Sequence, residues 1–425
     1  MTTTPGPAVD EGIEFTFHND GPSEVTLLPD PPRARRHRTI ISVDDHLVEP
    51  PDTFSGRIPA KFAERAPRIV PTPDGRGEAW LYDGTLMPNI GLSAVVGRPA
   101  REWGTDPVRF ADMRRGAWSP TARLADMDLD GVYASVNFPS FLPGFGGARL
   151  QTVTPDRELA LACVRAWNDW LVEEWAGADP ARFIPVQLPW LHDPELGAAE
   201  IRRNAARGFK AVTFPEHPER SGFPTMFTGH WDPIMRACAE TQTVVCIHTG
   251  SGGSLTDMGA GAPPSLASLI FGSYALIPTS VWLYSMLPVR FPELKICVAE
   301  GGISWVPGLL DRMDHLERHR QNRAYYGPWF DVDISPAEVL RRNFWFCAVD
   351  DPSAWSLRHR IGVERIMLEV DYPHPDSNWP NTQAVFAEQL KDVPAAESEL
   401  ISWRNASDLF RHPVPRSVQD DPDSF

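Results

Sequence analysis

Eight short apolar runs, spread from residue 39 to residue 371, constrain the fold of this chain more than any other feature. They read TIISV (39–43), VYASVNF (132–138), RFIPVQL (182–188), KAVTF (210–214), TVVCIH (243–248), LKICVAE (294–300), FWFCAVD (344–350) and IMLEVD (366–371). Runs that are apolar on both faces suit strands buried in a parallel sheet. Between most of them lie segments of helical period, such as DRELALACVRAWNDWLVEEWAG and DPELGAAEIRRNAARG. Eight strands alternating with helices predict an α/β fold in which the sheet closes on itself, the (β/α)8 TIM barrel. A doubly wound open sheet is the competing arrangement, but no GxGxxG turn follows the first run.

The barrel is expected over residues 39–413. Residues 1–38, which end in PDPPRARRHR, read as an extended N-terminal arm, and residues 414–425 read as a flexible tail. A long insertion, about residues 50–120, separates the first strand from the second. Within it EAWLYDGTLMPN predicts a hairpin turning at Asp83-Gly84, and the whole is expected to cap the barrel mouth.

In a barrel the C-terminal strand ends meet on one face, where active sites are built. Here those ends are polar. The first run leads into Asp44-Asp45-His46, the fourth into Glu216 and His217, and the fifth ends at His248. The sixth ends at Glu300, the seventh at Asp350 and the eighth at Asp371, with His374 close behind. Buried carboxylates and imidazoles need a cation, a proton or a substrate as partner. Asp44 and His46, two residues apart, project from one side of a strand toward a common ion, which leaves Asp45 to face the wall. Oxygen and imidazole ligands without thiolate suit Zn, Mn or Fe(II). HRQNRAYYGPWF (319–330) offers Arg320 and Arg323 for a forked contact with a substrate carboxylate, and Glu216 is a further candidate for substrate binding. His374 is placed either to orient the substrate or to stack on Trp379.

DDHLVEP, FKAVTFPE, CIHTG, AEGGISWVP and LEVDYPHPDSNWP together resemble the amidohydrolase superfamily, in the branch that includes aminocarboxymuconate semialdehyde, resorcylate and carboxyvanillate decarboxylases. By that resemblance Asp44 and His46 stand as the strand-one ligand pair, His248 as the strand-five ligand and Asp371 as the strand-eight carboxylate. The resemblance implies a metal-dependent enzyme acting on a small organic acid, by hydrolysis or non-oxidative decarboxylation. Glu300 stands where members of this branch commonly carry a histidine that donates a proton. As the catalytic group it would move protons; as a third carboxylate ligand it would help hold two ions instead of one. The second case resembles superfamily members that hydroxylate C–H bonds with O2, including one acting on isobutyrate that pairs two related subunits. A further alternative makes this chain the partner subunit of such a complex.

A net charge of −16 argues against nucleic acid or an anionic membrane as the main partner. Residues 265–287 (SLASLIFGSYALIPTSVWLYSML) are uncharged but interrupted by Pro278, so they read as a buried or subunit-facing helix and not a membrane span. That points to a homo-oligomer, or a heteromer with a related subunit. Five isolated cysteines and a start without an export-like pattern predict a cytoplasmic protein.

Overall fold

Strand β1 (Ile41–His46) sits between β2 (Ala134–Phe138) and β8 (Ile366–Leu368), and every neighbouring pair around the central sheet is parallel. The others are β3, in two pieces (Phe183–Ile184 and Val186–Gln187), β4 (Ala211–Phe214), β5 (Val244–His248), β6 (Ile296–Ala299) and β7 (Phe344–Ala348). The first piece of β3 pairs with β2 and the second with β4. Pro185 divides them because it has no N–H to give the ladder. Since β8 returns to β1 through Leu368 and Ser42, the ladder runs in a full circle, in the order of a (β/α)8 barrel. This computed structural model describes residues 8–9, 25–106, 108–252, 259, 261–263, 265–421 and 423–425.

Two of the outer helices show why the sequence folds this way. Arg157–Trp170 and Pro194–Ala206 are each entered through an aspartate, Asp156 and Asp193, whose side chain accepts two backbone N–H groups of the first turn. Their apolar faces pack on the barrel wall in one large core, while a smaller set, including Val43, Val136, Cys246, Cys297 and Cys347, fills the barrel interior.

The insertion supplies three antiparallel strands, Arg68–Pro71, Glu78–Tyr82 and Thr85–Pro88, of a four-stranded sheet whose fourth strand, Ala8–Val9 of the N-terminal arm, pairs in parallel with Thr85–Pro88. Its hairpin turns at Asp83 (φ 47°) and Gly84 (φ 83°), the paired left-handed residues of a type I′ turn. The insertion is tied to the loop after β8, where Val95 N and Val96 N both donate to Pro373 O. Of the arm expected over residues 1–38, residues 1–7 and 10–24 lie outside the described residues. Residues 25–38 run along the molecule, with Leu28 N donating to Gly97 O and Ala34 N to Leu129 O.

Two residues of the tail expected over 414–425 are buried against the barrel. Val414, just before a short helix, and Val418, within it, are 5% and 4% exposed and help close the N-terminal end of the barrel. The Phe425 ring lies beneath the Arg36 guanidinium, and Arg416–Asp420 is helical. Polar composition hid this apolar pair. The uncharged stretch at 265–287 is broken into Ser265–Leu269 and Gly272–Tyr284, followed by Leu287–Arg290. Among the described residues no helix is long and apolar enough to cross a membrane. Leu269 and Ile277 are 81% and 44% exposed on its surface.

Candidate metal centre

The pairing of β1 with β2 slips by one residue between Ser42 and Asp45, a β-bulge just before the strand's polar end. Bulges re-aim side chains, and this one sends Asp44 and His46 inward together. Asp45 faces the wall, as the alternation predicts. It accepts from Ser42 Oγ (2.8 Å) and Tyr372 N (3.3 Å), and the buried Arg123 lies 3.8 Å away. Burial raises the Asp45 carboxyl to about 6, with Arg123 opposing the rise. Arg123 also donates to the carbonyls of His46 and Gly116 and lies over the Tyr372 ring, so it fixes the end of β1 from behind.

His46 and His248 are each oriented by a backbone carbonyl. Nδ1 of His248 donates to Thr249 O (2.7 Å), and Nδ1 of His46 is 3.4 Å from Pro139 O. A carbonyl only accepts, so the proton sits on Nδ1 and the lone pair on Nε2. These two Nε2 atoms face each other at 2.9 Å. Asp44 Oδ1 lies 3.6 Å from the first and 3.4 Å from the second, and Asp371 Oδ1 is 3.6 Å from His46 Nε2. No oxygen of Asp44 or Asp371 has a hydrogen-bond partner among the described residues, and both side chains are at most 1% exposed.

Burial pushes Asp44 well above the usual carboxylate range, and it does the same to Asp371, aided by the charges of Glu300 and Asp44. It lowers His46 well below the usual imidazole range and His248 to about 3. Acceptor nitrogens and orphaned carboxylates that converge without a donor among them are what a divalent cation requires. The residues present therefore fit a metal ion. Asp44, His46 and His248 bring ligand atoms together, as do His46, Asp371 and His374. Glu300 and Asp371, with φ of 54° and 57°, are held in the left-handed region, a strain that clusters at functional sites.

His374 stacks on His46 (ring centroids 3.8 Å apart), not on Trp379, and its Nδ1 is 3.2 Å from Asp371 Oδ1. Glu300 takes a different place from the four. Its Oε2 is 3.4 Å from Nδ1 of His248, the nitrogen that faces away from the convergence point. Burial, reinforced by Asp44, raises its carboxyl well above the usual range. Glu300 and Asp371 line an open cavity of about 640 Å³, walled on its apolar side by Leu269, Leu276 and Trp305.

The structure does not bring Arg320, Arg323 or Glu216 to this cavity. Arg320 pairs with Glu317 and donates to Val332 O, and Arg323 pairs with Asp331 at the surface. Glu216 is buried and accepts from Gly252 N (3.0 Å), tying β4 to the loop after β5. Three residues that sequence reasoning passed over belong to the site's surroundings. Phe145 lies against the rings of His46, His248 and His374, with centroids at 4.7, 4.6 and 5.6 Å. Glu369, which lines the cavity, accepts from Glu300 N (3.1 Å), and Asp351 holds the loop after β6 through Ile303 N and Ser304 N. Glu369 was findable, since it precedes Asp371 by the two-residue spacing that singled out Asp44 and His46.

Comparison with known proteins bears on the family and the fold. A family model described as amidohydrolase matches residues 46–412. A decarboxylase, orsB, from Emericella nidulans is 28% identical over 287 residues, covering 63% of this chain and 82% of its own. An amidohydrolase from Mycobacterium avium subsp. paratuberculosis has a similar structure, with TM-score 0.66 and 24% identity over 88% of this chain and 100% of that one. A dihydroxybenzoic acid decarboxylase from Polaromonas, solved with manganese and the inhibitor 2-nitroresorcinol, gives TM-score 0.58 at 18% identity, covering 88% and 97% of the two chains.

Proposed function

The chain belongs to the amidohydrolase family, and from that premise we propose that it removes CO2 without an oxidant from a small organic acid, using one divalent ion. Asp44, His46, His248 and Asp371 are the residues that would hold the ion, and manganese, present in a structural neighbour, is the first to try. When bound there, such an ion supplies a Lewis acid that anchors the substrate carboxylate and favours build-up of charge on the acid.

The chain's own groups do the rest. The backbone carbonyls of Thr249 and Pro139 keep both imidazoles in the tautomer that presents Nε2. His374, packed on His46 and beside Asp371, orients the substrate at the edge of the site. Decarboxylation leaves an electron pair on the carbon that loses CO2, and that carbon must take up a proton. Glu300 lines the cavity, and burial raises its carboxyl well above the usual range, so it is the group placed to deliver that proton. Water entering through the cavity mouth restores it.

The observation that carries this reading is the convergence of two imidazole lone pairs and two unpartnered carboxylates at the strand ends. The O2-dependent, two-ion alternative needs Glu300 as a ligand beside them, whereas its carboxylate meets the far nitrogen of His248. A complete ligand set within one chain also favours a catalytic role over that of a supporting subunit. We further read the insertion as a cap, the exposed Leu269 and Ile277 as a face between copies of this chain, and the five buried thiols as suited to a reducing cytoplasm.

The test is CO2 release, followed by mass spectrometry, from a panel of carboxyl-labelled hydroxybenzoates and unsaturated diacids. The expected result is labelled CO2 from at least one acid, lost on chelation and independent of O2. Turnover that consumes O2 in step with product would select the alternative.

A further inference from the structure

The cavity beside the metal centre has an unusual lining for one that receives an acid. Among its described residues there is no arginine or lysine, while Glu300, Asp350, Asp351, Glu369 and Asp376 line it in addition to Asp371. A divalent ion held by Asp44 and Asp371 would leave the carboxylates of Asp350, Asp351, Glu369 and Asp376 on the wall. A purely anionic substrate would therefore enter against the remaining field.

Asp351 adds an independent sign of a ligand. It is 6% exposed, and its Oδ1 is used by Ile303 N and Ser304 N, yet its Oδ2 has no hydrogen-bond partner among the described residues. Both oxygens face Gly302 in the cavity lining, where an added Cβ would lie 3.0 and 3.1 Å from them. Only a glycine lets the carboxylate pack this close to the loop. A buried carboxylate oxygen with no donor is costly unless a ligand brings one.

We propose that the substrate is an amine-bearing carboxylic acid. Its carboxylate goes to the metal centre, a protonated aliphatic nitrogen goes to the wall formed by Asp351, Glu369 and Asp376, and its hydrocarbon part lies against Leu269, Leu276 and Trp305. Such a zwitterion carries no net charge into the cavity and gives the acidic wall the N–H donors it lacks. The inference rests on the reading of the site as one that takes a carboxylic acid.

The experiment compares two probes of matched shape, 3-(aminomethyl)benzoate and 3-ethylbenzoate, by calorimetric titration of the manganese-loaded full-length protein. The ammonium probe should bind about tenfold more tightly. In Asp376→Asn and Glu369→Gln that preference should shrink to about threefold or less, with 3-ethylbenzoate bound at least as well as before. Asp351→Asn is the more direct change but disturbs the loop that Asp351 holds, so the other two variants decide. Equal or tighter binding of 3-ethylbenzoate to the unaltered protein overturns the inference, as does a preference that survives undiminished in both variants. Release of CO2, followed separately on the labelled panel, keeps the two readings apart. An amine preference without CO2 from any acid supports this inference while decarboxylation fails, and CO2 from neutral acids with no amine preference does the reverse.

Discussion

Removing the ion should destabilise the protein by an amount set by Asp44 and Asp371. Among the described residues neither carboxyl has a hydrogen-bond partner, and both are buried. An unsatisfied buried polar group costs about 1–3 kcal/mol, so the pair costs about 4 kcal/mol in the ion-free protein. An ion at about a thousand times its Kd contributes about 4 kcal/mol, enough to offset that cost. Unfolding entropy of about 2.1 cal/mol/K per residue gives about 0.9 kcal/mol/K for this length, so chelation should lower Tm by about 4–5 °C. Asp44→Ala makes the reasoning sharper. It removes one orphaned carboxyl and leaves only a small cavity, so without metal the variant should melt about 1–2 °C above the parent. With metal present it should melt below the parent, because it no longer holds the ion. The assay is scanning calorimetry of both proteins with manganese and with chelator. Parent curves unchanged by chelation, or an equal metal-dependent shift in Asp44→Ala, would refute the argument.

Other perturbations probe the supports of the site. Arg123→Met leaves Asp45 buried without its cation, which should cost about 3–5 kcal/mol in urea unfolding and weaken metal binding through the freed His46 carbonyl. Glu216 is raised by burial to about 8, so its contribution to stability is complete below about pH 4.3 and is lost as pH rises toward 8. Glu216→Gln should therefore flatten the decline of Tm across that window, and an unchanged pH profile would count against it. Gly301→Ala drives a methyl into Ala275 on the helix Gly272–Tyr284, which bears the apolar cavity wall. It should cost about 1–3 kcal/mol and weaken binding of 3-(aminomethyl)benzoate at the titration described above.

The barrel was legible because its strands are buried on both faces, which writes each as an unbroken apolar run. All eight runs became strands, with boundaries that moved by a few residues. β1 extends through Asp44-Asp45-His46 instead of stopping before them, since the bulge keeps the polar end paired with β2. Asp44, His46, His248 and Asp371 were legible for the same reason, as charged residues standing where apolar runs end. What could not be read was direction in loops. Arg320 and Arg323 lie near aromatics in sequence but turn to Glu317 and Asp331, while Arg123, inside an ordinary helix, is the arginine buried behind the site. Phe145 sits in a glycine-rich loop with no periodic signal, and only the folded chain places it over three imidazoles.

Metal content tests the central claim most directly. Elemental analysis of protein prepared without chelator or added metal should find about one divalent ion per chain, and both His248→Ala and Asp371→Asn should lose it while remaining folded by circular dichroism. Full occupancy retained in both variants would contradict the assignment of the metal centre to these strand ends.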